Sequence, residues 1–377
     1  MEIALVNARV LLPQGLRDDL AVTIADGRIR SVSSEPPEGA TIVDCGGEML
    51  LPGFIDTQVN GGGGVLFNDA PTVETIATMA AAHRRYGTTG MLPTLISDDL
   101  SVVEAGIAAV DAAIEQGVPG VLGIHIEGPF LSYARRGIHD AGRLRRIDRE
   151  AIRLLGSARH SRTLVTLAPE CVEPGDVAAL VDAGVVVAAG HSEADYDTVR
   201  RAIGEGLSGF THLFNAMSPL VNRAPGMTGA ALEDDGVTAG LIVDGHHVHP
   251  AVIRIALKAK GHERLMLVTD AMALTGTEED HFILQGRHIQ RDGDRLVDAA
   301  GTLAGSTLTM NAAVRNMIAQ TGVDLRRAVA MASSTPAAFL GLSDRTGTIA
   351  PGLSADLVLV DKDWQVKRSW IAGRDSA

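Results

Sequence analysis

The run VLGIHIEG at 121–128 opens a series of short apolar stretches, and TLVTLAPE at 163–170 and VVVAAGHS at 185–192 repeat its pattern. Ala-rich helical patterns that end near glycine, such as DVAALVDAG at 176–184, separate most of these stretches. Five more stretches on either side complete a set of eight predicted strands: LLPGFIDTQVN (50–60), GMLPTLI (90–96), GFTHLFN (209–215), VTAGLIVDG (237–245) and RLMLVTDA (264–271). Strands that alternate with helices pair in parallel, and eight such units predict a closed (β/α)8 barrel, the TIM barrel of the α/β class.

The two ends of the chain have a different pattern. Residues 1–50 and 346–377 carry short alternating runs broken by Gly, Pro and Asp, and neither piece is long enough to make a domain alone. We expect both pieces to form one small β-sandwich domain that flanks a barrel spanning residues 51–345. A Gly- and Asp-rich segment at 276–302 predicts a hairpin insertion after the eighth strand.

Composition narrows the classes of function. Of the 377 residues, 46% are hydrophobic and 21% are charged, which favours a large buried core over a disordered chain. The net charge of −13 argues against nucleic-acid and anionic-membrane partners, although it leaves room for a local basic pocket. The aromatic content of 3% also disfavours a surface on which bases stack.

The cysteines and the N-terminal residues indicate a cellular setting. Cys45 and Cys171 are too few for a disulfide framework or a cysteine-rich zinc module, and they predict free thiols in a reducing compartment. The first residues lack the basic and long apolar regions of a signal peptide. No run approaches the roughly 20 apolar residues that span a bilayer. The expected localisation is therefore cytoplasmic.

Metal-ligating side chains collect where the predicted strands end, which is where active sites of this barrel type lie. Glu127 ends the third strand, His191 the fifth and His212 the sixth. One carboxylate and two imidazoles with an open coordination position form a ligand set for a catalytic divalent metal. Asp270, at the end of the eighth strand, is placed to move protons for water that such a metal activates.

These residues also have structural interpretations. A histidine at a strand end can be a hydrogen-bonded core residue with no ligand. Glu170 fits a fourth metal ligand, and fits a structural hydrogen-bond partner better. His125 shares a strand face with Glu127, so it fits the core or a support for the ligands. The run Gly61–Gly64 lacks the Lys-Ser/Thr of a phosphate-binding loop and predicts only a loop that tolerates unusual backbone angles.

Several motifs, in a fixed order, resemble those of one enzyme family. They are PGFIDTQVNGGGG (52–64), GIHIEGPFL (123–131), RRGIH (135–139), AGHSEA (189–194), THLFNAMSPL (211–220), GLIVDGHHV (240–248), LVTDAM (267–272) and TLAGSTLTM (302–310). Over nearly its whole length the chain resembles the N-acetylglucosamine-6-phosphate deacetylases of the amidohydrolase superfamily. The resemblance implies hydrolysis of N-acetyl-D-glucosamine 6-phosphate to D-glucosamine 6-phosphate and acetate, in amino-sugar catabolism and cell-wall recycling. It also implies a homodimer.

The resemblance assigns the metal and the catalytic chemistry to named residues. The metal ligands fall on Glu127, His191 and His212, the same three residues that the strand ends indicate. One divalent ion per subunit is expected, with Zn²⁺ first and Fe²⁺, Co²⁺, Mn²⁺ or Cd²⁺ as alternatives. Asp270 corresponds to the catalytic acid and base. His139 corresponds to the residue that supports the amide carbonyl as charge develops on it.

The resemblance also assigns the contacts to the sugar phosphate. They fall on Ile138, Asn215, Ala216, Arg223, His247, Leu303, Ala304 and Gly305. Arg223 is expected to grip the phosphate by charge-assisted hydrogen bonds. In the family, the equivalents of Arg223 and His247 can come from the neighbouring subunit of the dimer.

One departure concerns the number of metal ions. Many members of the superfamily carry His-x-His at the end of the first strand and bind two metals. Here those positions are Gln58 and Asn60, whose neutral amides are poor ligands for zinc or iron. We therefore expect one tightly held ion.

Other functions fit parts of the pattern. An amide hydrolase or deaminase of the same superfamily acting on a related N-acyl amino-sugar phosphate would share the metal residues, but the NAMSPLVNR and GIH segments argue against it. A metal-free isomerase or aldolase would need a strand-end Lys or a Glu/His pair, and no predicted strand ends in Lys. A binding protein without catalysis would not need Asp270 beside a ligand set.

Overall fold

The computed structural model describes residues 2–376, which form twenty-two strands and ten α-helices. The strands are β1 (Ile3–Leu12), β2 (Gly15–Ala25), β3 (Arg28–Ser33), β4 (Thr41–Asp44), β5 (Met49–Pro52), β6 (Phe54–Val59), β7 (Gly61–Gly62), β8 (Val65–Leu66), β9 (Thr88–Ile96), β10 (Gly123–Glu127), β11 (Arg162–Leu167), β12 (Val186–Ala189), β13 (Gly209–Phe210), β14 (Thr238–Leu241), β15 (Leu265–Leu267), β16 (His281–Leu284), β17 (Arg287–Asp292), β18 (Arg295–Val297), β19 (Leu303–Ser306), β20 (Leu357–Val360), β21 (Val366–Ile371) and β22 (Arg374–Asp375). The helices are α1 (Val73–Arg84), α2 (Leu100–Glu115), α3 (Arg149–Leu155), α4 (Asp176–Asp182), α5 (Tyr196–Gly204), α6 (Gly226–Glu233), α7 (Pro250–Lys260), α8 (Met310–Thr321), α9 (Leu325–Ala332) and α10 (Ser334–Phe339).

Eight parallel strands form the predicted barrel. Their order is β6, β9, β10, β11, β12, β13, β14 and β15, so each strand pairs with the next barrel strand along the chain. The strands are buried on both faces, because helices cover the outside and side chains fill the inside. The predicted (β/α)8 architecture is confirmed, although the sixth predicted strand, 209–215, is regular only over Gly209–Phe210.

The first and last barrel strands meet without a regular ladder. A single parallel bridge joins Val59 to Ala271, and the Asp270 amide donates to the Gln58 carbonyl at 3.0 Å. The buried Asp56 carboxylate adds to this closure, because it accepts hydrogen bonds from the backbone and the hydroxyl of Thr269. This junction between the first and last barrel strands, here called the barrel seam, therefore fixes the segment that carries Asp270.

Strands from both termini form one sheet beside the barrel, with the order β22, β21, β20, β5, β1, β2, β3 and with β4 paired to β1. Strand β5 joins the two ends of the chain, because Leu50 pairs with Val10 on one side and with Leu359 on the other. Leu50 and Trp370 are fully buried in the apolar cluster of this sheet. The chain crosses to the barrel at Gly53, so the stretch 50–60 contains parts of two strands rather than one.

The insertion after the eighth barrel strand is larger than a hairpin. Strands β16–β19 form a four-stranded antiparallel sheet, His281–Ser306, where the sequence predicts a hairpin at 276–302. Its apolar residues Leu284 and Ile289 pack in one cluster with Met272 and Ile96 from the barrel loops. This sheet thus lies against the end of the barrel at which the strands exit.

Helix starts follow the capping rules that the sequence suggests. Thr72, Asp148 and Asp195 each accept a hydrogen bond from a backbone amide in the first turn of the following helix. Pro250 occupies the first turn of α7, where its missing N–H costs nothing. Within residues 2–376, no helix combines the length and the apolar character needed to cross a bilayer.

Candidate active site

A cavity of about 250 Å³ opens at the C-terminal ends of the barrel strands. Its walls come from the loops after six barrel strands and from the inserted sheet. The lining residues are Asn60, Ile96, Glu127, Gly137, Ile138, His139, His191, His212, Asn215, Ala216, His247, Asp270, Met272, Thr302, Leu303 and Gly305. The cavity therefore gathers the three predicted metal ligands and both predicted catalytic residues at one place.

The three predicted metal ligands converge on one point. Glu127 Oε1 lies 3.1 Å from His191 Nε2 and 3.0 Å from His212 Nε2, and the two Nε2 atoms are 2.9 Å apart. Donors bound tetrahedrally at ~2.1 Å from a zinc ion would lie about 3.4 Å from one another. The three side chains are almost completely buried. Their spacing suits one small divalent ion with an open position toward the cavity.

The hydrogen bond behind His191 indicates which of its nitrogens is free. His191 Nδ1 lies 2.8 Å from the carbonyl oxygen of Arg135, and a carbonyl can only accept, so Nδ1 carries the proton. The unprotonated Nε2 then points toward Glu127, as a metal ligand requires. His212 Nδ1 has no hydrogen-bond partner among residues 2–376, so its Nε2 is the atom that faces the other ligands.

A second combination of donors is also close together. Ligand atoms of Glu127, His139 and His191 lie within 4.8 Å of one another. His212 fits the ligand set better than His139, because its Nε2 is within 3.0 Å of both other donors. His139 instead directs Nδ1 to Ser97, at 2.8 Å from its hydroxyl.

The electrostatics of the cluster keep the carboxylate ionised. Burial alone would raise the pKa of the Glu127 carboxyl, but the adjacent imidazoles of His191 and His212 outweigh it and hold this pKa well below its usual range. Burial likewise opposes protonation of His212, but the adjacent Glu127 raises the pKa of His212. A buried anion beside two imidazoles, where nearly all solvent is excluded, favours a bound cation.

Two neutral amide side chains, those of Gln58 and Asn60, contact the carboxylates of the cavity. Gln58 Nε2 donates to both Glu127 oxygens, at 3.3 and 3.2 Å, and to Asp270 Oδ1 at 3.2 Å. Asn60 Nδ2 donates to the same Asp270 oxygen at 2.6 Å. The Gln58 amide thus bridges the two carboxylates, and the Asn60 amide adds a second hydrogen bond to Asp270.

Asp270 is held from both sides of its backbone. Its amide donates to Gln58 in the barrel seam, and its carbonyl accepts from Ser306 of β19 at 2.9 Å. Burial, assisted by the charge of Glu127, raises the pKa of the Asp270 carboxyl to about 6. The group can therefore accept a proton near neutral pH, and once protonated it is a competent acid.

Three of the key residues have left-handed backbone angles just beyond a strand end. The φ angles are +50° at His191, +34° at His212 and +53° at Asp270. Such angles are uncommon for residues other than glycine and concentrate at functional sites. They turn each side chain into the cavity immediately after its strand.

His139 lies deep in the loop that follows β10. Its ring packs edge-to-face against His191, with centroids 4.4 Å apart. Burial, with a smaller contribution from His191, lowers the pKa of the His139 imidazole to about 3. The ring is therefore neutral, and its one proton can be donated to a ligand.

The predicted substrate contacts divide into two groups. Six of them line the cavity: Ile138, Asn215, Ala216, His247, Leu303 and Gly305. Ala304 is fully buried between its two cavity-lining neighbours, and Arg223 is exposed on the loop before α6, outside the cavity lining. Asp244 Oδ2 orients the His247 ring through a 2.6 Å hydrogen bond from Nδ1.

Two residues with alternative interpretations have structural partners. Glu170 accepts hydrogen bonds from the Ser192 hydroxyl and the Glu193 amide, each at 2.6 Å, and thereby braces the segment after His191. His125 Nε2 bonds to Thr166 Oγ1 at 2.7 Å in the barrel interior. Neither residue lines the cavity.

Some lining residues were not singled out from the sequence. Ile96 ends β9, Met272 follows Asp270, and Thr302 precedes β19. The strand-end rule applied to apolar side chains would have found Ile96. Thr302 begins the motif TLAGSTLTM (302–310), but only the folded insertion brings it to the cavity.

Comparison with known proteins agrees with this geometry. The amidohydrolase family pattern matches residues 49–374. An N-acetylgalactosamine-6-phosphate deacetylase from Shewanella sp. strain ANA-3 is 46% identical over 97% of this chain and 94% of its own. An N-acetylglucosamine-6-phosphate deacetylase from Haemophilus influenzae is 34% identical over 99% of both chains. The crystal structure of N-acetylglucosamine-6-phosphate deacetylase from Pasteurella multocida superposes with a TM-score of 0.97 at 33% identity over the full length of both chains.

The fold and the cluster of metal-ligating side chains define a barrel hydrolase of the metal-dependent type. The chain belongs to the amidohydrolase family, and within it to the branch of N-acetylhexosamine-6-phosphate deacetylases.

Proposed function

We propose that this protein is a metal-dependent hydrolase that deacetylates N-acetyl-D-glucosamine 6-phosphate to D-glucosamine 6-phosphate and acetate. The observation that carries the proposal is the convergence of Glu127, His191 and His212 within 3.1 Å in one cavity that also contains Asp270 and His139. The deacetylases from Haemophilus influenzae and Pasteurella multocida support the choice of an N-acetylated sugar phosphate.

The metal ion held by Glu127, His191 and His212 would act as a Lewis acid that lowers the pKa of water and polarises the acetamide carbonyl. Asp270 takes the proton from the attacking water and returns it to the departing amine, a double task that suits a carboxyl with a pKa of about 6. His139 donates its ring proton to the carbonyl oxygen as negative charge develops there. Such preorganised donors usually contribute the largest catalytic effect.

We propose Zn²⁺ as the ion, one per subunit, with Fe²⁺, Co²⁺, Mn²⁺ or Cd²⁺ as alternatives. Two imidazoles and one carboxylate form a typical zinc site with an open position. The amides of Gln58 and Asn60 already satisfy the carboxylates at the place of a second ion. Metal analysis of the purified protein distinguishes these ions.

The phosphate site requires residues beyond the cavity of one subunit. We propose a homodimer in which Arg223, exposed beside Leu220 and Val221, reaches the partner's cavity and binds the phosphate with His247. Two apolar side chains that are 56% and 49% exposed on one loop support an interface there. We also propose a cytoplasmic location, which the unpaired thiols of Cys45 and Cys171 support.

The 4-epimer is a second candidate substrate. The relative from Shewanella sp. at 46% identity acts, by its name, on N-acetylgalactosamine 6-phosphate. Both epimers present the same acetamide and the same phosphate, so the metal site and Arg223 serve either of them.

The test is acetate release from both epimers, measured with the metal-loaded protein and after chelation. Chelator-sensitive release from the glucosamine derivative, with a larger kcat/KM than from the galactosamine derivative, is the expected result. A larger kcat/KM for the galactosamine derivative would reassign the sugar. No acetate from either one would overturn the proposed function.

A further inference from the structure

A neutral histidine can donate a hydrogen bond to an amide carbonyl only if the ring nitrogen that faces the carbonyl carries the proton. His139 is 1% exposed. A neutral imidazole carries one ring proton, so it can donate from Nδ1 or from Nε2 but not from both. Something in the surrounding structure must select the nitrogen that donates into the cavity.

The backbone of Ser97 makes that selection. The Ser97 amide lies 3.2 Å from His139 Nδ1, and the Ser97 hydroxyl lies 2.8 Å from the same atom. A backbone N–H can only donate, so Nδ1 must be the acceptor and the hydroxyl must donate as well. The ring proton is then on Nε2. Ser97 is completely buried, so water does not compete for these hydrogen bonds.

The inserted sheet contacts both Ser97 and the loop that carries His139. Gln285, in the turn between β16 and β17, donates to the Ser97 carbonyl at 2.9 Å. Arg287, the first residue of β17, donates to the carbonyl of Ile138 at 2.7 Å. The hairpin of β16 and β17 therefore restrains Ser97, whose amide donates to His139, and also the peptide bond between Ile138 and His139.

The packing around Ser97 leaves little freedom for the hydroxyl. A Cβ atom at Gly128, which follows the metal ligand Glu127, would lie 2.3 Å from Ser97 Oγ. The Ser97 side chain thus fits directly against the backbone of the metal-binding loop. A shift of the inserted sheet would reach His139 through Ser97 and Ile138 together.

We propose that Ser97 and Arg287 are positioning residues that fix His139 as the Nε2–H tautomer and aim this proton at the substrate carbonyl, an inference that rests on the proposed deacetylation for its catalytic part. Arg287 fixes the backbone of the His139 loop, and Ser97 fixes the ring. The inserted sheet is thereby a structural part of the oxyanion site, besides forming one wall of the cavity.

The tautomer can be read directly, without an activity assay. In the zinc-loaded protein with ¹⁵N-labelled histidine, the signals that vanish in His139→Gln belong to His139. We expect them to show a protonated Nε2 and an unprotonated Nδ1 over the neutral pH range. A protonated Nδ1, or a cationic ring at neutral pH, would overturn the proposal whether or not the protein hydrolyses any sugar phosphate.

Kinetics test the positioning role of Arg287. Arg287→Met should lower kcat by about tenfold to a hundredfold with little change in KM, because a displaced donor weakens mainly the transition state. Arg287→Lys should recover part of the loss, since its ammonium can reach the same carbonyl. Ser97→Ala should lower kcat by about tenfold, because the backbone amide remains.

Arg291 provides the matched control. It lies on the same strand as Arg287 and also donates to backbone carbonyls, but within residues 2–376 these are the carbonyls of Leu274, at 2.9 Å, and Thr277, not those of the His139 loop. Arg291→Met should lower the melting temperature with kcat nearly unchanged. An equal loss of kcat in Arg287→Met and Arg291→Met would mean that the sheet only stabilises the fold. If the unsubstituted protein releases no acetate, the proposed function fails while the tautomer measurement stands.

Discussion

Asp270 is the residue to which we assign proton transfer. Among residues 2–376, Glu127 and Asp270 are the carboxylates that line the cavity, and Glu127 is predicted to hold the metal. We expect Asp270→Asn to retain the metal and to lose at least about three orders of magnitude in kcat, because the carboxylate that accepts the proton is gone. Metal content and single-turnover acetate release measure the two effects. Glu104→Gln, on the exposed face of α2, is the control. Near-normal turnover of Asp270→Asn would remove Asp270 from the proton transfer.

We expect Gln58 and Asn60 to limit the site to one metal ion. The Gln58 amide bridges Glu127 and Asp270, and the Asn60 amide donates to Asp270, so no free ligand pair is left there for a second cation. The double variant Gln58→His with Asn60→His should raise the metal content from about one to about two ions per chain, since imidazoles replace amides as donors. Elemental analysis after exhaustive dialysis checks this. Gln116→His, at the end of α2, shows whether an added surface imidazole binds metal alone. An unchanged content in the double variant would show that the amides do not control the number of ions.

At the scale of elements, Asp56 closes the barrel between β6 and β15 and makes the closure dependent on pH. Burial raises the pKa of Asp56 from 3.8 to about 7. Between those values the folded protein keeps a proton that the unfolded chain has released, so the free energy of unfolding falls as the pH rises from about 4 to about 7. Asp56→Asn can still accept from the Gln58 and Thr269 amides but has no charge to bury.

Denaturant unfolding at several pH values tests the role of Asp56. Asp56→Asn should lose less stability than the unsubstituted protein between about pH 4 and pH 7, whatever its stability at pH 4. Asp197→Asn, an exposed residue in the first turn of α5, should follow the unsubstituted protein across the range. Parallel pH profiles for all three proteins would contradict the assignment.

Strand β19 supports the catalytic segment through a position that only glycine fits. Gly305 has a φ of +65°, and an added Cβ would lie 2.7 Å from the Asp270 carbonyl oxygen. Gly301 has a φ of +81° with no atom within 4 Å of such a Cβ. Gly301→Ala should therefore cost only the left-handed backbone penalty, about 1–2 kcal/mol. Gly305→Ala should cost more and should also lower kcat, because Asp270 must move.

Unfolding midpoints and kcat of the two glycine variants separate strain from displacement. Equal stability losses with an unchanged kcat in both would show that β19 does not restrain Asp270. The two glycines are a close match, because Gly301 lies in the turn before β19, only four residues from Gly305 in that strand.

What the sequence could predict at this scale depends on local signals. Alternation of apolar runs with capped helices predicts the eight barrel strands, since both patterns are local. The run 50–60 nevertheless spans two strands in two sheets, because apolar character is continuous across Gly53 and hydrogen-bond partners are not written locally. The strand-end rule also explains why Glu127, His191, His212 and Asp270 lie together in one cavity.

The supporting residues could not be predicted in this way. Ser97 and Arg287 are 190 residues apart in the chain, and both contact a third segment, Ser97 at the His139 ring and Arg287 at the Ile138 carbonyl. Their roles depend on how the inserted sheet docks on the barrel. No periodicity or motif in the sequence encodes that docking.

At the scale of the whole molecule, the acidic protein must bind an anionic substrate. A net charge of −13 repels a sugar phosphate over long distances, so specific cations near the cavity have to offset this repulsion. Of the predicted contacts, Arg223 has a permanent charge, yet in one subunit it is exposed and outside the cavity lining. The proposed homodimer would bring Arg223 of one subunit to the cavity of the other and so remove this mismatch.

Arg223→Ala should raise KM for the phosphorylated sugar far more than KM for the unphosphorylated sugar, and Asn222→Ala on the same loop should change neither KM.

The dimer hypothesis also predicts that two variants with impaired sites restore activity when their subunits are mixed. If Arg223 acts across the interface, a dimer of one Arg223→Ala subunit and one Asp270→Asn subunit contains one complete site. Random reassociation of an equal mixture should then recover about a quarter of the activity of the unsubstituted protein, because half of the dimers are mixed and each has one of two sites intact. If Arg223 serves its own subunit, every mixed dimer lacks a complete site, and mixing would give no activity above the mean of the two variants.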